Sequence, residues 1–360
     1  MKCMQYFRYS HRLNACLLCL TLSLPLSAQP VPEGEDRTLI TEIVRSIDVP
    51  GLQTGFQGIF VQSLKDGRVL FALHSEKTFV PASNNKLLTA CIALEKLGAN
   101  FVYRTRVVRD GHVDRYGALK GDLILVGSGD PALTPEALRS LAQQVRQSGI
   151  RRIRGAIRFD DTLFDAQYLG PGWAWDDEPF AYSAQISALN VHGNTVRLRV
   201  LPGERPGRPT TIQITPGNHY IRVINQTSTA PPLAKTGVHV ERERGTNTIR
   251  IHGAVAQNTP ERDCPEVIVT VEHPARFSTS LFVDYLREAG VRVERPRPEP
   301  VLKSAEPVHR SVVAEHTSEP LTEILKRLNK SSDNLIAECL LKTVGAVALG
   351  KGTSGAEGTG

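Results

Sequence analysis

Apolar residues along this chain keep more than one spacing, and each spacing predicts a different kind of element. Between residues 57 and 80 they form two short runs, Gly58-Ile-Phe-Val-Gln-Ser-Leu64 and Arg68-Val-Leu-Phe-Ala-Leu73, on either side of Lys65-Asp66-Gly67. Such runs around a Gly-containing turn predict a β-hairpin. From about Ser83 the period lengthens. Leu87, Cys91 and Leu94 share one helical stripe, with Leu88 and Ile92 beside it, which predicts a buried helix stopped by Gly98.

Residues 99–277 return to short strand-like runs: Leu123-Ile-Leu-Val126, Thr195-Val-Arg-Leu-Arg-Val200, Tyr220-Ile-Arg-Val-Ile224 and Val267-Ile-Val-Thr-Val271. Pro, Gly and Asn punctuate them, and one helical segment, Pro135 to Ser148, interrupts. The pattern predicts a mostly β region, divisible into two subdomains. The helical period comes back from about Ser278, where Leu281, Tyr285 and Leu286 share a face. Leu321, Ile324, Leu325 and Leu328 then follow at i, i+3, i+4 and i+7 behind Pro320, a residue suited to a first turn. Asn329-Lys-Ser-Ser-Asp-Asn334 breaks this helix, and Ile336, Leu340 and Val344 start another. The tail from Gly350 to Gly360 has no core-forming pattern.

With 360 residues the chain exceeds one ordinary core, so two or three domains are expected. The first 28 residues carry Lys2, Arg8 and Arg12, then the apolar run Ala15 to Leu26, then Leu26-Ser27-Ala28. This is a secretory signal pattern, too short for a comfortable permanent span; the alternative is an uncleaved N-terminal anchor. No stable membrane span is expected elsewhere. Beyond the signal the cysteines are Cys91, Cys264 and Cys339, widely spaced and not a disulfide framework. No CxxC, HExxH or dense Cys/His cluster supports zinc. The formal charge of +6 falls to about +3 without the signal, and the arginines are scattered. A scattered weak excess reads first as a solvated surface; the alternative is association with an anionic envelope polymer, and nucleic-acid binding gains little support.

The chemistry of this background rests on two separated motifs. In Pro81-Ala-Ser-Asn-Asn-Lys86, Ser83 and Lys86 stand three apart, one helical turn on the same face. A neutral lysine amine there can take the serine proton, and the helix N-terminus favours the developing negative charge. The bland alternative is an N-cap serine followed by a surface lysine. Ser332-Asp333-Asn334 lies in the break between two apolar helices. Its hydroxyl can relay a proton, and its amide can bind a substrate amide; alternatively the tripeptide is a helix cap. Ser-x-x-Lys, Ser-x-Asn and Lys-Thr-Gly together form the motif set of serine β-lactamases and penicillin-binding proteins. Lys235-Thr236-Gly237 is present, but it lies between the other two motifs, where it suits a turn beside a strand. Gly127-Ser-Gly129 lacks the third glycine of a dinucleotide fingerprint.

The sequence resembles the D-alanyl-D-alanine carboxypeptidases of the low-molecular-mass class C penicillin-binding proteins, peptidase family S13. The resemblance runs from about Gly58 to Val344. It is carried by Pro81-Ala-Ser-Asn-Asn-Lys86, Gly121-Asp-Leu-Ile-Leu-Val-Gly-Ser-Gly-Asp-Pro-Ala-Leu-Thr134, Trp173-Ala-Trp-Asp-Asp177, Ser187-Ala-Leu-Asn190 and Ser332-Asp-Asn334, in family order. It implies an α/β (α+β) transpeptidase-like or β-lactamase-like fold, in which a catalytic domain of 29–98 and 278–360 is split by a β-rich insertion. The insertion comprises a subdomain of 99–194 and 265–277 and a nested one of 195–264.

The resemblance also implies roles. Ser83 is the acylated nucleophile, Lys86 its base, Ser332 a proton relay and Asn334 a substrate contact. Asp177 would bind the free amino group of a peptidoglycan stem side chain; the alternative for Trp173 and Trp175 is core packing, and for Asp176 and Asp177 a turn. The substrate would be peptidoglycan stem peptides, hydrolysed by a carboxypeptidase with possible endopeptidase activity. β-Lactams would be covalent inhibitors, no cofactor or metal would be needed, and the protein would be exported to the periplasm or cell envelope. In the family a Lys-Thr-Gly strand follows the Ser-x-Asn loop, supplying an oxyanion-hole amide. No such triplet follows Asn334 here, so the expectation includes a truncated chain or a degenerate, non-catalytic protein that binds peptidoglycan fragments or a partner. A β-lactamase or esterase is a third reading, opposed by the large insertion.

Overall fold

The computed structural model describes residues 35–301 and 310–349. The signal pattern and the tail after 349 lie outside the described residues. The chain divides into two compact units, one ending at Pro81 and one starting at Ala82.

The first unit holds α1 (Glu35–Ile47) and the expected hairpin, β1 (Ile59–Gln62) paired antiparallel with β2 (Val69–Leu73). Its turn closes where the Gly67 N–H donates to the Ser63 carbonyl at 2.9 Å, with Gly67 at φ +74°. Such a φ suits a residue without Cβ. Phe56 stacks on His74 and Phe79, with centroids 4.8 and 5.2 Å away.

The second unit opens with a 3₁₀ turn, Ala82–Asn84, and α2 (Asn85–Leu97). It continues through β3 (Arg104–Val113), β4 (Ala118–Val126), α3 (Pro135–Gln147) and β5 (Arg152–Asp160). Next come β6 (Thr195–Leu201), β7 (Thr211–Thr215), β8 (Arg222–Ala230), β9 (Gly237–Arg242), β10 (Thr248–Ala256) and β11 (Glu266–Thr270). It closes with α4 (Pro274–Glu288), β12 (Arg292–Pro300), β13 (Arg310–Thr317), α5 (Leu321–Ser331) and α6 (Asn334–Leu349).

Three sheets result, in the orders β12-β5-β4-β3-β13, β11-β6-β7 and β8-β10-β9. In the first, β4, β5 and β12 run parallel to one another, while β3 pairs antiparallel with both β4 and β13. Helices α3 and α4 cover it, and Leu119, Leu123, Ile153 and Ile157 meet Leu138, Leu141, Phe277 and Leu281 in the largest core. A second core joins α2, α5 and α6 through Ala90, Ala93, Leu321, Ile324, Leu325, Leu328, Ile336 and Leu340.

One sequence expectation needs correction. The apolar stripe of α2 is not its buried face: Leu87 is 57% and Leu88 63% exposed, Ile92 and Leu94 are exposed too, and Cys91 joins them. The helix instead buries Ala90 and Ala93, with Leu97 packed beside them. Small residues let helices approach closely, and period alone cannot say which stripe faces inward. Strands β12 and β13 hydrogen-bond to β5 and β3, and α4 packs on the same sheet. The sequence of β12, RVERPRPEP, hides a strand behind three prolines; an edge position tolerates them because one side of the strand needs no donors.

Candidate active site

The inward face of α2 carries more than alanines. Lys86, Ala90, Ala93 and Leu97 follow one another at i, i+4, i+7 and i+11, so the face that packs on α5 and α6 also directs Lys86 inward. Ser83 sits one turn earlier in the 3₁₀ turn, exposed, after Ala82 at φ +45°. Asn84 gives α2 no side-chain cap, and the 3₁₀ turn runs directly into the helix.

The opposite wall is the junction of α5 and α6. Helix α5 ends at Ser332 in the left-handed region, φ +56° and ψ +42°. A non-glycine residue held there stores strain of order 1 kcal/mol, a condition common at functional sites. The chain restarts at once, with Asp333 accepting the Ile336 amide at 3.0 Å as a cap. The expected break of 329–334 is thus only two residues wide, which aims Ser332 and Asn334 in one direction.

Lys86 Nζ connects the two walls. It lies 3.1 Å from Ser83 Oγ, 3.3 Å from Ser332 Oγ and 2.5 Å from Asn334 Oδ1. The Asn334 amide is oriented at its other end, where Nδ2 donates to the Tyr182 carbonyl at 2.8 Å. Tyr182 in turn donates its hydroxyl to Asp177 Oδ1 at 2.7 Å, and that bond raises the tyrosine pKa above its usual value. Asp177 therefore reaches the cluster through Tyr182, without contacting Lys86. Of the two tryptophans, Trp173 packs against Phe164, Ile186, Leu335 and Cys339, whereas Trp175 is 69% exposed beneath Arg244.

Helix α6 anchors the segment that carries Tyr182. Fully buried Lys342 donates to Asp165 and, at 2.8 Å, to the Gln167 carbonyl. Glu338, one turn after Asn334, is half-buried with Oε2 unpartnered. Burial raises its carboxyl pKa, opposed by the charges of Lys342 and Lys86. A Cβ on Gly170 would come within 2.7 Å of the Trp173 indole and 3.1 Å of Glu338 Oε1, so only glycine passes here without displacing its neighbours.

The motifs of the middle region turn out to be structural partners of one another. The Gly129 amide donates to the Ala188 carbonyl at 2.7 Å, and a Cβ on Gly127 would strike that oxygen at 2.4 Å. Thr134 caps α3 by accepting the Ala137 amide, with Pro135 in the first turn. Asn190 and Asn194 form a buried network with Ser187 and Gln185. Lys235-Thr236-Gly237 opens β9, where the Thr236 hydroxyl accepts the Ala256 amide at 3.0 Å, away from Ser83.

Tyr182, Glu338 and Lys342 escape the sequence reading. A signal existed for two of them. Lys342 interrupts the buried stripe Leu335, Cys339, Lys342 at i, i+4, i+7, and Glu338 repeats the face of Asn334 at i+4. Tyr182 offers no comparable pattern, since its backbone carbonyl does the work.

Comparison with known proteins gives the family and the fold. Residues 40–359 match the model of the D-Ala-D-Ala carboxypeptidase 3 (S13) family. A D-alanyl-D-alanine carboxypeptidase of Actinomadura sp. is 35% identical over 351 residues, 94% of this chain and 63% of that relative. The D-alanyl-D-alanine carboxypeptidase DacB of Haemophilus influenzae is 25% identical over 347 residues, 93% of this chain and 66% of its own. Thus the chain spans somewhat under two thirds of the length of both curated relatives. Penicillin binding protein 4 (dacB) of H. influenzae superposes with a TM-score of 0.69 at 24% identity, over 82% of this chain and 64% of that one. A structure of it complexed with a β-lactam gives 0.66 at 22% identity, over 89% and 67%. At these identities the structural likeness shows a shared fold.

Proposed function

The chain belongs to the D-Ala-D-Ala carboxypeptidase 3 (S13) family, and from that premise we propose that it is a serine D-alanyl-D-alanine carboxypeptidase acting on peptidoglycan stem peptides. The observation that carries this reading is Lys86, whose single amine meets two serine hydroxyls and an amide contributed by elements about 250 residues apart. A surface lysine beside a cap serine needs none of these partners, and neither does a protein that only binds.

As an ammonium, Lys86 has three protons for three acceptors. As a neutral amine it keeps two and turns its lone pair to a hydroxyl. Ser83 Oγ attacks the carbonyl carbon of the penultimate D-alanine as its proton passes to Lys86. The tetrahedral adduct collapses with cleavage of the C–N bond, and the departing D-alanine amine takes a proton from Ser332, which Lys86 replaces. Water then attacks the Ser83 ester, giving the shortened peptide and free Ser83. Asn334 and the Asp177–Tyr182 pair flank the path, and in this reading Asp177 receives the amino group of the stem side chain. β-Lactams present a carbonyl to the same serine and remain attached to it, and the N-terminal pattern of residues 1–28 would export the protein to the envelope. Among the described residues no helix is long and apolar enough to cross a membrane.

The test is release of D-alanine from a synthetic peptide ending in D-Ala-D-Ala. Release that disappears in Ser83→Ala supports the proposal; release undiminished in that variant refutes it.

A further inference from the structure

A second cluster of chemistry lies apart from Ser83. A cavity of about 570 Å³ opens between α4, β12 and the loop after β7. Helix α4 contributes Arg276, Ser280 and Arg287, which the spacing i, i+4, i+11 places on one face. Edge strand β12 contributes Arg297 between Pro296 and Pro298, and the loop contributes His219 and Tyr220. The positive groups are not equally occupied. Asp284 takes Arg287 at 3.3 Å and lies 3.8 Å from His219. Arg276 and Arg297 form no ion pair among the described residues, and the glutamates of β12 are engaged elsewhere, Glu294 by Arg152 and Glu299 by Arg158.

The decisive group is Ser280. It is 1% exposed, lines the cavity, and its hydroxyl has no hydrogen-bond partner among the described residues. A buried hydroxyl left unpaired is disfavoured by roughly 1–3 kcal/mol, so native structures seldom keep one without a reason. Two unpaired guanidiniums and an unpaired buried donor converge on one space, with proline and tyrosine walls around it.

We propose that this cavity is a binding site for an oxyanion, a phosphate or carboxylate group, carried on a ligand with an apolar or sugar-ring face. Arg276 and Arg297 neutralise the charge, the Ser280 hydroxyl donates to an anion oxygen, and Tyr220 with the prolines packs against the attached ring. The Tyr220 hydroxyl already donates to the Glu272 carbonyl at 3.1 Å, which fixes the ring as a wall. The site is independent of the peptidase reading and does not need it.

The test titrates the full chain at low and raised ionic strength with poly(glycerol phosphate) and with polygalacturonate. At least one should bind, and salt should weaken the binding. The pair R276Q/R297Q should weaken it roughly tenfold or more, the range expected when charged hydrogen bonds are lost. S280A, which keeps both arginines and reports on the site even if the double variant fails to fold, should weaken it severalfold. Binding of the phosphate polymer alone assigns a phosphate source, binding of the uronate polymer alone a carboxylate source, and binding of both their shared chemistry. R205Q/R208Q, which removes two surface charges elsewhere, should leave affinity unchanged. No binding by either polymer, binding undiminished in R276Q/R297Q and S280A, or equal weakening in R205Q/R208Q overturns the proposal.

Discussion

Lys86 gains its position from residues too small to attract notice. Ala90 and Ala93 bring α2 against α5 and α6, and the same face then carries the amine to Ser332 and Asn334. Lys86→Ala should keep the fold, since Lys86 is only half-buried, and should slow acylation of Ser83 by about 10²–10⁴-fold, the usual worth of a positioned proton acceptor. Stopped-flow measurement with a chromogenic β-lactam checks it. Asp130 tests a different residue-level effect. Burial raises its carboxyl from 3.8 to about 6, partly offset by the hydrogen bond from the Ala132 amide. The folded chain therefore holds a proton that the unfolded chain releases. That stability is fully present below about pH 4 and is lost as pH rises through about 6. The loss across this window is on the order of 2–3 kcal/mol. Asp130→Asn should shrink the difference in melting temperature between pH 4 and pH 8.

At the scale of elements, α6 organises the site. Asn334 faces Lys86 at its start, Leu335 and Cys339 hold Trp173, and Lys342 holds Asp165. The last pair predicts an asymmetry. Asp165→Asn leaves a fully buried ammonium without its carboxylate and should destabilise by about 3 kcal/mol, whereas Lys342→Met leaves an aspartate with access to water and should cost less. Urea unfolding midpoints decide the order. Helix α2 makes the other element-level prediction. Cys91 is exposed, while Cys264 and Cys339 are buried and burial raises the Cys339 thiol. A thiol reagent applied to the folded chain should modify Cys91 before Cys264 and Cys339, as read by peptide mapping; a Cys91 as protected as Cys339 would restore the stripe expected from periodicity. Periodicity picks the wrong stripe because a 3.6-residue period marks apolar faces without naming which one meets a neighbour. By contrast, α5 was legible to the residue, because Leu321, Ile324, Leu325 and Leu328 form its one apolar face and all are buried. Strand β12 was illegible because its prolines and charges contradict a strand everywhere except at an edge.

Across the whole molecule, the family was legible from short segments whose physical roles only the structure separates. Pro81–Lys86 and Ser332–Asn334 meet at one amine, whereas Gly127–Gly129 and Ser187–Asn190 clamp each other in the interior. Sequence order presents all of them alike, because a motif records that a residue is needed, not whether chemistry or packing needs it. The anchoring of Tyr182, Glu338 and Lys342 stays hidden for a related reason: it depends on contacts across about 150 residues of chain, to which local spacing is blind. If these distant segments assemble an acylatable serine, a β-lactam should mark it covalently. The most direct measurement is the intact mass of the chain after exposure to penicillin, followed by peptide mapping. One added penicillin is expected on the peptide containing Ser83 and none in Ser83→Ala; no adduct, or an adduct that persists in that variant, would rule out Ser83 as the acylated residue.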